Sequence, residues 1–255
     1  MNPLLPFLMA GDPSLEALPA LLAEARALGL GTLEVGLPHS DPIADGPVLQ
    51  AAAHRAIQAG ATPLRVLEAL AGIQDSPDLV LFTYLNPLLQ LGTEQLIRLL
   101  RPTPVRALLI VDLPDGEEPA FVEGLAEAGY PLVPLLAPTT TPDRAARLLE
   151  ARPDPGPERP FAQRFAYLVA RLGVTGGGAS FDPGPLVARI QTIRTLTERP
   201  LAVGFGLSEP AAMQALRDLG VTPVVGSALV AELAAGLPLR QALAERLLQT
   251  SGSPT

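Results

Sequence analysis

Thr32-Leu-Glu-Val-Gly-Leu-Pro-His-Ser-Asp-Pro-Ile-Ala-Asp-Gly-Pro47 starts as a strand and ends as a loop. Leu33, Val35 and Leu37 alternate with Glu34 and Gly36, the period of two that sorts side chains to the two faces of a sheet. Pro38 stops the strand, and the Pro, Asp and Gly behind it are loop chemistry. An acid, Glu34, therefore lies near the carboxyl end of an otherwise apolar strand, and a second acid, Asp45, stands at the far end of the loop. Glu34 has two readings. On an edge strand it sits in water. Pointing inward it loses hydration, needs a partner or a raised pKa, and is able to exchange protons near neutral pH.

Outward from this stretch the chain repeats one theme. Leu4–Met9 predicts a strand before it, and Leu79–Tyr84, Val105–Val111, Leu132–Leu136, Phe165–Ala170, Leu201–Val203 and Val221–Val225 predict strands after it. Helices are predicted between them: Ser14 as cap of a helix to about Leu28, then Val48–Ala59, Pro63–Gly72 capped by Thr62, Thr93–Leu100, Glu117–Ala128 ended by Gly129, Asp143–Ala151, Pro185–Thr197, and Glu209–Leu219 capped by Ser208. The carboxyl-terminal part is predicted helical, with Gln249–Thr255 fraying. Arg152–Pro160, rich in proline, reads as a surface excursion.

Eight strands alternating with helices imply parallel strands, and eight parallel strands close. The expected fold class is α/β, a single (β/α)8 TIM barrel over residues 1–255, with no linker dividing it. Active sites of such barrels lie at the carboxyl ends of the strands. Glu34, Tyr84, Asp112, Tyr167, Arg171 and the glycines after the sixth to eighth strands fall on that face.

Composition excludes several chemistries. The chain has 255 residues, a net charge of -8, no cysteine, and only two histidines, His39 and His54. The charge argues against a nucleic-acid partner. The missing cysteines exclude a thiolate nucleophile and Cys-ligated metal, and two histidines exclude a His-rich metal site. All 18 basic residues are arginine. A chain without lysine forms no Schiff base and has no Walker A loop. No apolar run is long enough to span a bilayer, and Met1–Gly11 lacks the basic start of a signal peptide, so a cytoplasmic protein is expected.

Gly204-Phe-Gly206 precedes a predicted helix, as does Gly226-Ser227. Barrels commonly bind phosphate with the loops after the seventh and eighth strands, where backbone N–H groups at a helix start point at the anion. Two such turns in succession, with a third glycine-rich stretch at Gly173-Val-Thr-Gly-Gly-Gly178, predict a phosphorylated small-molecule substrate.

Pro6–Pro13, Leu33–Pro47, Gly173-Val-Thr-Gly176, Gly204-Phe-Gly206 and Gly226-Ser-Ala228, in this order and spacing, resemble the tryptophan synthase alpha chain family. The resemblance runs from about Leu4 to Leu233. It implies a (β/α)8 barrel that cleaves indole-3-glycerol phosphate to indole and glyceraldehyde 3-phosphate. It also implies no cofactor, no metal and no membrane, and a beta chain partner in an alpha2beta2 heterotetramer. It makes Glu34 and Asp45 the catalytic acids. It places Tyr167 beside the substrate, Thr175 in a mobile lid, and Gly176, Gly206, Gly226 and Ser227 around the phosphate.

The chain departs from that pattern in places. His39 stands where the family usually has an aromatic residue such as Phe, and Ala170 and Leu172 flank Arg171 where small hydroxyl residues are frequent. The Arg152–Pro160 insert is unusual. The short amino-terminal helix of the family has no counterpart before the first strand, which predicts a less covered amino-terminal mouth.

Other roles stay open at this level. Asp12 and Asp112 either bond their own turns or serve the site, and Tyr84 and Arg171 are either packing or solvated residues or contacts. The loop Pro38–Pro47 and the segment Arg171–Gly184 are expected to be mobile, so that a docked beta chain orders them and raises the rate. Two other functions compete: a different phosphate-binding barrel such as an isomerase, and a non-catalytic subunit that only binds and activates a beta chain.

Overall fold

The structure, a computed structural model, describes residues 4–170, 183–204 and 210–248. In chain order the elements are β1 (Leu5–Met9), α1 (Leu18–Ala27), β2 (Thr32–Gly36), α2 (Pro47–Gln58), α3 (Pro63–Leu70), β3 (Asp78–Thr83), α4 (Leu85–Leu91), α5 (Thr93–Leu100), β4 (Val105–Ile110) and α6 (Pro119–Glu127). They continue as β5 (Leu135–Leu136), α7 (Pro142–Ala151), α8 (Phe161–Arg164), β6 (Ala166–Val169), α9 (Pro183–Arg194), β7 (Leu201–Gly204), α10 (Pro210–Asp218), β8 (Thr222–Val225), α11 (Ser227–Ala234) and α12 (Leu239–Leu248). The strands form one eight-stranded sheet in the order β4-β3-β2-β1-β8-β7-β6-β5, and every pairing is parallel. The ring closes between β4 and β5 through a parallel bridge of Leu108 with Leu132. There Leu108 N–H donates to Pro131 O at 3.1 Å and Val133 N–H to Leu108 O at 2.8 Å. The architecture is the expected TIM barrel.

The closing strand is shorter than Leu132–Leu136 because Pro131 and Pro134 bring no N–H to the ladder. The first helix also starts later than expected. Ser14 Oγ accepts the Ala17 N–H at 3.3 Å, but helical geometry begins only at Leu18. Thr62 caps α3 as predicted, accepting the Arg65 N–H at 3.2 Å. The helix α4 was not foreseen. Asn86-Pro87 reads as a loop, yet proline is tolerated in the first helical turn, where its missing N–H has no helical acceptor to lose. Asp112 Oδ1 accepts the Leu85 N–H that opens this helix, at 2.7 Å, which gives Asp112 a structural role. Asp12 is structural too, held in a fork by Arg55 at 3.0 and 2.6 Å.

Alternation along the strands sorts side chains into two layers. On β6 and β7, Leu168 and Val203 pack outward with Leu186, Ile190 and Ile193 of α9. Tyr167 and Ala202 instead join Phe7 and Val224 in the main core. Phe7 and Phe82 meet edge to face at 5.3 Å. Gly36, which pairs with Phe82, makes room for Phe7: a Cβ there would lie 2.3 Å from the ring.

The amino-terminal mouth, expected to be less covered, has α8 across part of it. Residues 152–160 are mostly exposed, but the chain then turns into α8, which packs against β2, β3 and β4, across the barrel from the strand it leads into. Phe161 and Phe165 stack at 4.9 Å, and Ala162 and Phe165 are fully buried. The Gln163 amide donates to Arg106 O and Gly129 O, both at 3.1 Å. The insert is anchored by Arg164, which forks onto Asp154 at 3.1 Å, and by Arg199, which donates to Arg152 O at 2.8 Å.

Candidate active site

Glu34 is not on an edge. All five residues of β2 are buried, and Glu34 itself is 1% exposed. β2 has β1 on one side and β3 on the other, with Glu34 opposite Phe7 and Val80. Burial pushes its carboxyl from the usual 4.5 up to about 8, and Oε1 has no hydrogen-bond partner. A buried, unsatisfied acid costs stability, and such groups cluster where function needs them.

Asp45 reaches the same region from the loop. It is 3% exposed, and burial raises its carboxyl to about 6, against the opposing effect of a hydrogen bond from Tyr84. The Tyr84 hydroxyl donates to Asp45 Oδ2 at 3.1 Å and accepts the Ala44 N–H at 3.0 Å. Asp45 Oδ1 has no partner. Burial and then the charge of Asp45 raise the Tyr84 phenol above its ordinary value, which keeps it a proton donor. Tyr84, left open between packing and contact in the sequence, thus fastens the Pro38–Pro47 loop to the end of β3.

Asp45 is bonded on several sides within the loop that the sequence expects to be mobile. Asp45 N–H donates to Pro42 O at 3.0 Å, and the Gln50 side chain donates to Asp45 O at 2.9 Å. With the Tyr84 bonds, Asp45 is tied from three directions. Composition missed this because the side-chain anchors, Tyr84 after β3 and Gln50 of α2, lie outside the loop.

Tyr167 stands on β6, 2% exposed. Its phenol is raised well above the ordinary value by burial, then by the charges of Glu34 and Asp45. The three groups therefore share one electrostatic environment inside the barrel. The ring is seated on Gly204 of β7, where a Cβ would lie 1.8 Å from the hydroxyl. Gly204 and Gly36 are seats for aromatic rings, a role that a glycine count in the sequence does not disclose.

Gly226 is the N-cap of α11, and no side chain caps that helix. The first N–H groups of Ser227 and its successors lack intrahelical acceptors, the geometry that takes an anion. A Cβ on Gly226 would meet only Phe7, at an ordinary 3.6 Å, so packing does not demand glycine here. Thr175, Gly176 and Gly206, with Arg171, Ser208, most of Arg171–Gly184 and the tail 249–255, lie outside the described residues. Among the described residues no three His, Asp or Glu side chains gather as a metal-ligand set, and no helix is long and apolar enough to cross a membrane.

The chain matches the family model for the tryptophan synthase alpha chain over residues 1–252. It is 41% identical over 239 residues to the tryptophan synthase alpha chain of Prochlorococcus marinus strain MIT 9313, covering 92% of this chain and 82% of that one. It is 39% identical to that of Trichormus variabilis, covering 92% and 85%. Among solved structures, the tryptophan synthase complex from Pyrococcus furiosus contains a chain that superposes with a TM-score of 0.81 at 28% identity, covering 98% of both. The tryptophan synthase subunit alpha of Campylobacter jejuni gives 0.80 at 26%, covering 96% and 94%. A parallel eight-stranded barrel, two buried acids at its carboxyl face and this similarity along almost the whole chain agree: the chain belongs to the tryptophan synthase alpha chain family.

Proposed function

We propose that the chain cleaves indole-3-glycerol phosphate to indole and glyceraldehyde 3-phosphate, without a cofactor. The observation that carries this is the pair of buried carboxyls, Glu34 and Asp45, each with one unpartnered oxygen and with pKa values pushed to about 8 and about 6. At pH 7 the first holds its proton and the second has lost it. Two acids set apart in this way take opposite roles.

Glu34 protonates C3 of the indole ring. The positive charge that appears is shared with the ring nitrogen, and the Asp45 carboxylate accepts a hydrogen bond from that N–H. The glycerol hydroxyl next to the scissile bond then loses its proton to Glu34, now a carboxylate. The electrons of the C–C bond return to the ring, indole is restored, and the glycerol carbon becomes an aldehyde. Tyr167 lies beside the substrate, and the phosphate sits at the amino end of α11, on Gly226 and Ser227; the family resemblance assigns Gly176 and Gly206 to the phosphate as well, and Thr175 to the lid.

The chain acts in the cytoplasm as the alpha subunit of an alpha2beta2 assembly, and the beta chain receives the indole. Because Asp45 is already tied by Tyr84 and Gln50, docking has little ordering left to do at that residue.

Mixing the purified chain with indole-3-glycerol phosphate, alone and with a beta chain, should release indole. Substrate that binds in both mixtures without any indole appearing would overturn the assignment. The rate should be greatest between about pH 6 and 8. It should fall below this window as Asp45 gains a proton and above it as Glu34 loses one. A rate flat from pH 5 to 9 would show that the two acids do not govern it. Gly226→Leu should weaken binding of the phosphorylated substrate much more than binding of indole, as read by calorimetry. Equal losses would place the phosphate elsewhere.

A further inference from the structure

We propose that His39 is a positioning residue which, through Tyr84, sets the charge felt by Asp45 and extends the lyase activity toward acid pH. This deepens the proposed function and rests on it. His39 follows the proline that ends β2, and its ring lies against that of Tyr84, with centroids 4.9 Å apart and planes inclined by 31°. The far end of the same phenol holds Asp45 Oδ2 at 3.1 Å. The imidazole, the phenol and the carboxylate therefore form one short series.

Other charged groups surround it. Asp41 and His54 line the same groove of about 440 Å³ as His39. Asp45 lies beyond the phenol, and the charge of Asp112, which accepts the N–H that opens α4, also raises the phenol. Stacking on Tyr84 needs only an aromatic ring. What imidazole adds is a proton that histidine takes up between about pH 5 and 8. Asp45 titrates in that range, at about 6. A cation on the His39 ring would be an opposite charge near Asp45, and such a charge favours the carboxylate form. The indole N–H then keeps its acceptor at a lower pH than it would with an uncharged ring.

The test compares the ratio of kcat at pH 6 to kcat at pH 8 in the wild type and in His39→Phe, a ratio that cancels any uniform loss. Phe keeps the stack and removes the charge. The ratio should be about threefold to fivefold higher in the wild type, the size of an interaction between charges separated by one ring at intermediate dielectric. Equal ratios would reduce His39 to packing and overturn the proposal. A wild type that releases no indole at either pH would instead overturn the proposed function. The coupling has a readout that needs no turnover. The chain has two histidines, so NMR shows two imidazole titrations, and His54→Gln identifies that of His39. Asp45→Asn should move the His39 midpoint to lower pH and that of His54 by less. An unmoved His39 would show that the series carries no charge coupling.

Discussion

Glu34→Gln is expected to slow indole release by about 10²–10⁴-fold, the range that a positioned acid supplies, while leaving substrate affinity close to wild type. Gln keeps the shape of the side chain, and at pH 7 it matches the uncharged state in which Glu34 stands. Only the transferable proton is lost. Single-turnover cleavage and equilibrium binding separate the two effects, and a variant that retains most of its kcat would remove Glu34 from the mechanism. The same substitution should change stability in a pH-dependent way. Between the unfolded value of 4.5 and the folded value of about 8, the folded chain holds a proton that the unfolded chain has released. Each pH unit in that interval then removes about 1.4 kcal/mol of stability from the wild type. The contribution of Glu34 is fullest below the unfolded value and is lost as pH rises toward the folded one. Gln does not titrate. Urea unfolding should therefore show the variant gaining on the wild type by about that amount per unit from near pH 5.5 to near 7.5, and a constant gap would mean that Glu34 is hydrated in the folded state.

Gly204→Ala is expected to lower kcat/KM on the order of 10²-fold, although Gly204 itself has no side chain to offer. The added Cβ would stand 1.8 Å from the Tyr167 hydroxyl, 2.6 Å from Cζ, and 3.1 Å from Val224 Cβ. Tyr167 is fully enclosed and has nowhere to retreat without moving its neighbours. The phenol must leave the region it shares with Glu34 and Asp45, and overpacking of this kind costs about 1–3 kcal/mol. Adding Tyr167→Phe to the Ala variant removes the closest clashing atom, so the double variant should recover part of the stability lost, a non-additive result. Wild-type turnover in Gly204→Ala would mean that the ring has a different seat.

The barrel was legible in the sequence because its signals are local. Apolar strands of period two or of continuous run, each followed by a turn and a capped helix, fix eight parallel strands without any knowledge of their contacts. Glu34 and Asp45 were legible for a related reason: an acid in an apolar strand and an acid after Ser-Asp-Pro are anomalies of pattern, and the family resemblance gave them roles. What the sequence concealed is pairwise. That Tyr84 ties down Asp45 depends on a contact across 39 residues. That Gly204 seats Tyr167 depends on the pairing of β6 with β7. Asp112 looks like a site residue until Leu85 is found donating to it, and α4 hides behind an Asn-Pro that resembles a loop. The Pro38–Pro47 loop was judged by its own composition, whereas Tyr84 and Gln50, which bond Asp45, lie outside it.

With α8 laid against β2, β3 and β4 at the amino-terminal side and the rings of Phe7 and Phe82 meeting in the core, the molecule is a cup rather than a pipe. On the proposed function, indole set free beside Glu34 has that closed end behind it, while the loop after β2 carries Ile43, 69% exposed, at the opposite rim. Escape then has a direction without a pump, a valve or an expenditure of energy. On the proposed function, a partner seated on that rim faces the open end of the cup, and the four-residue α8 stands at the other end.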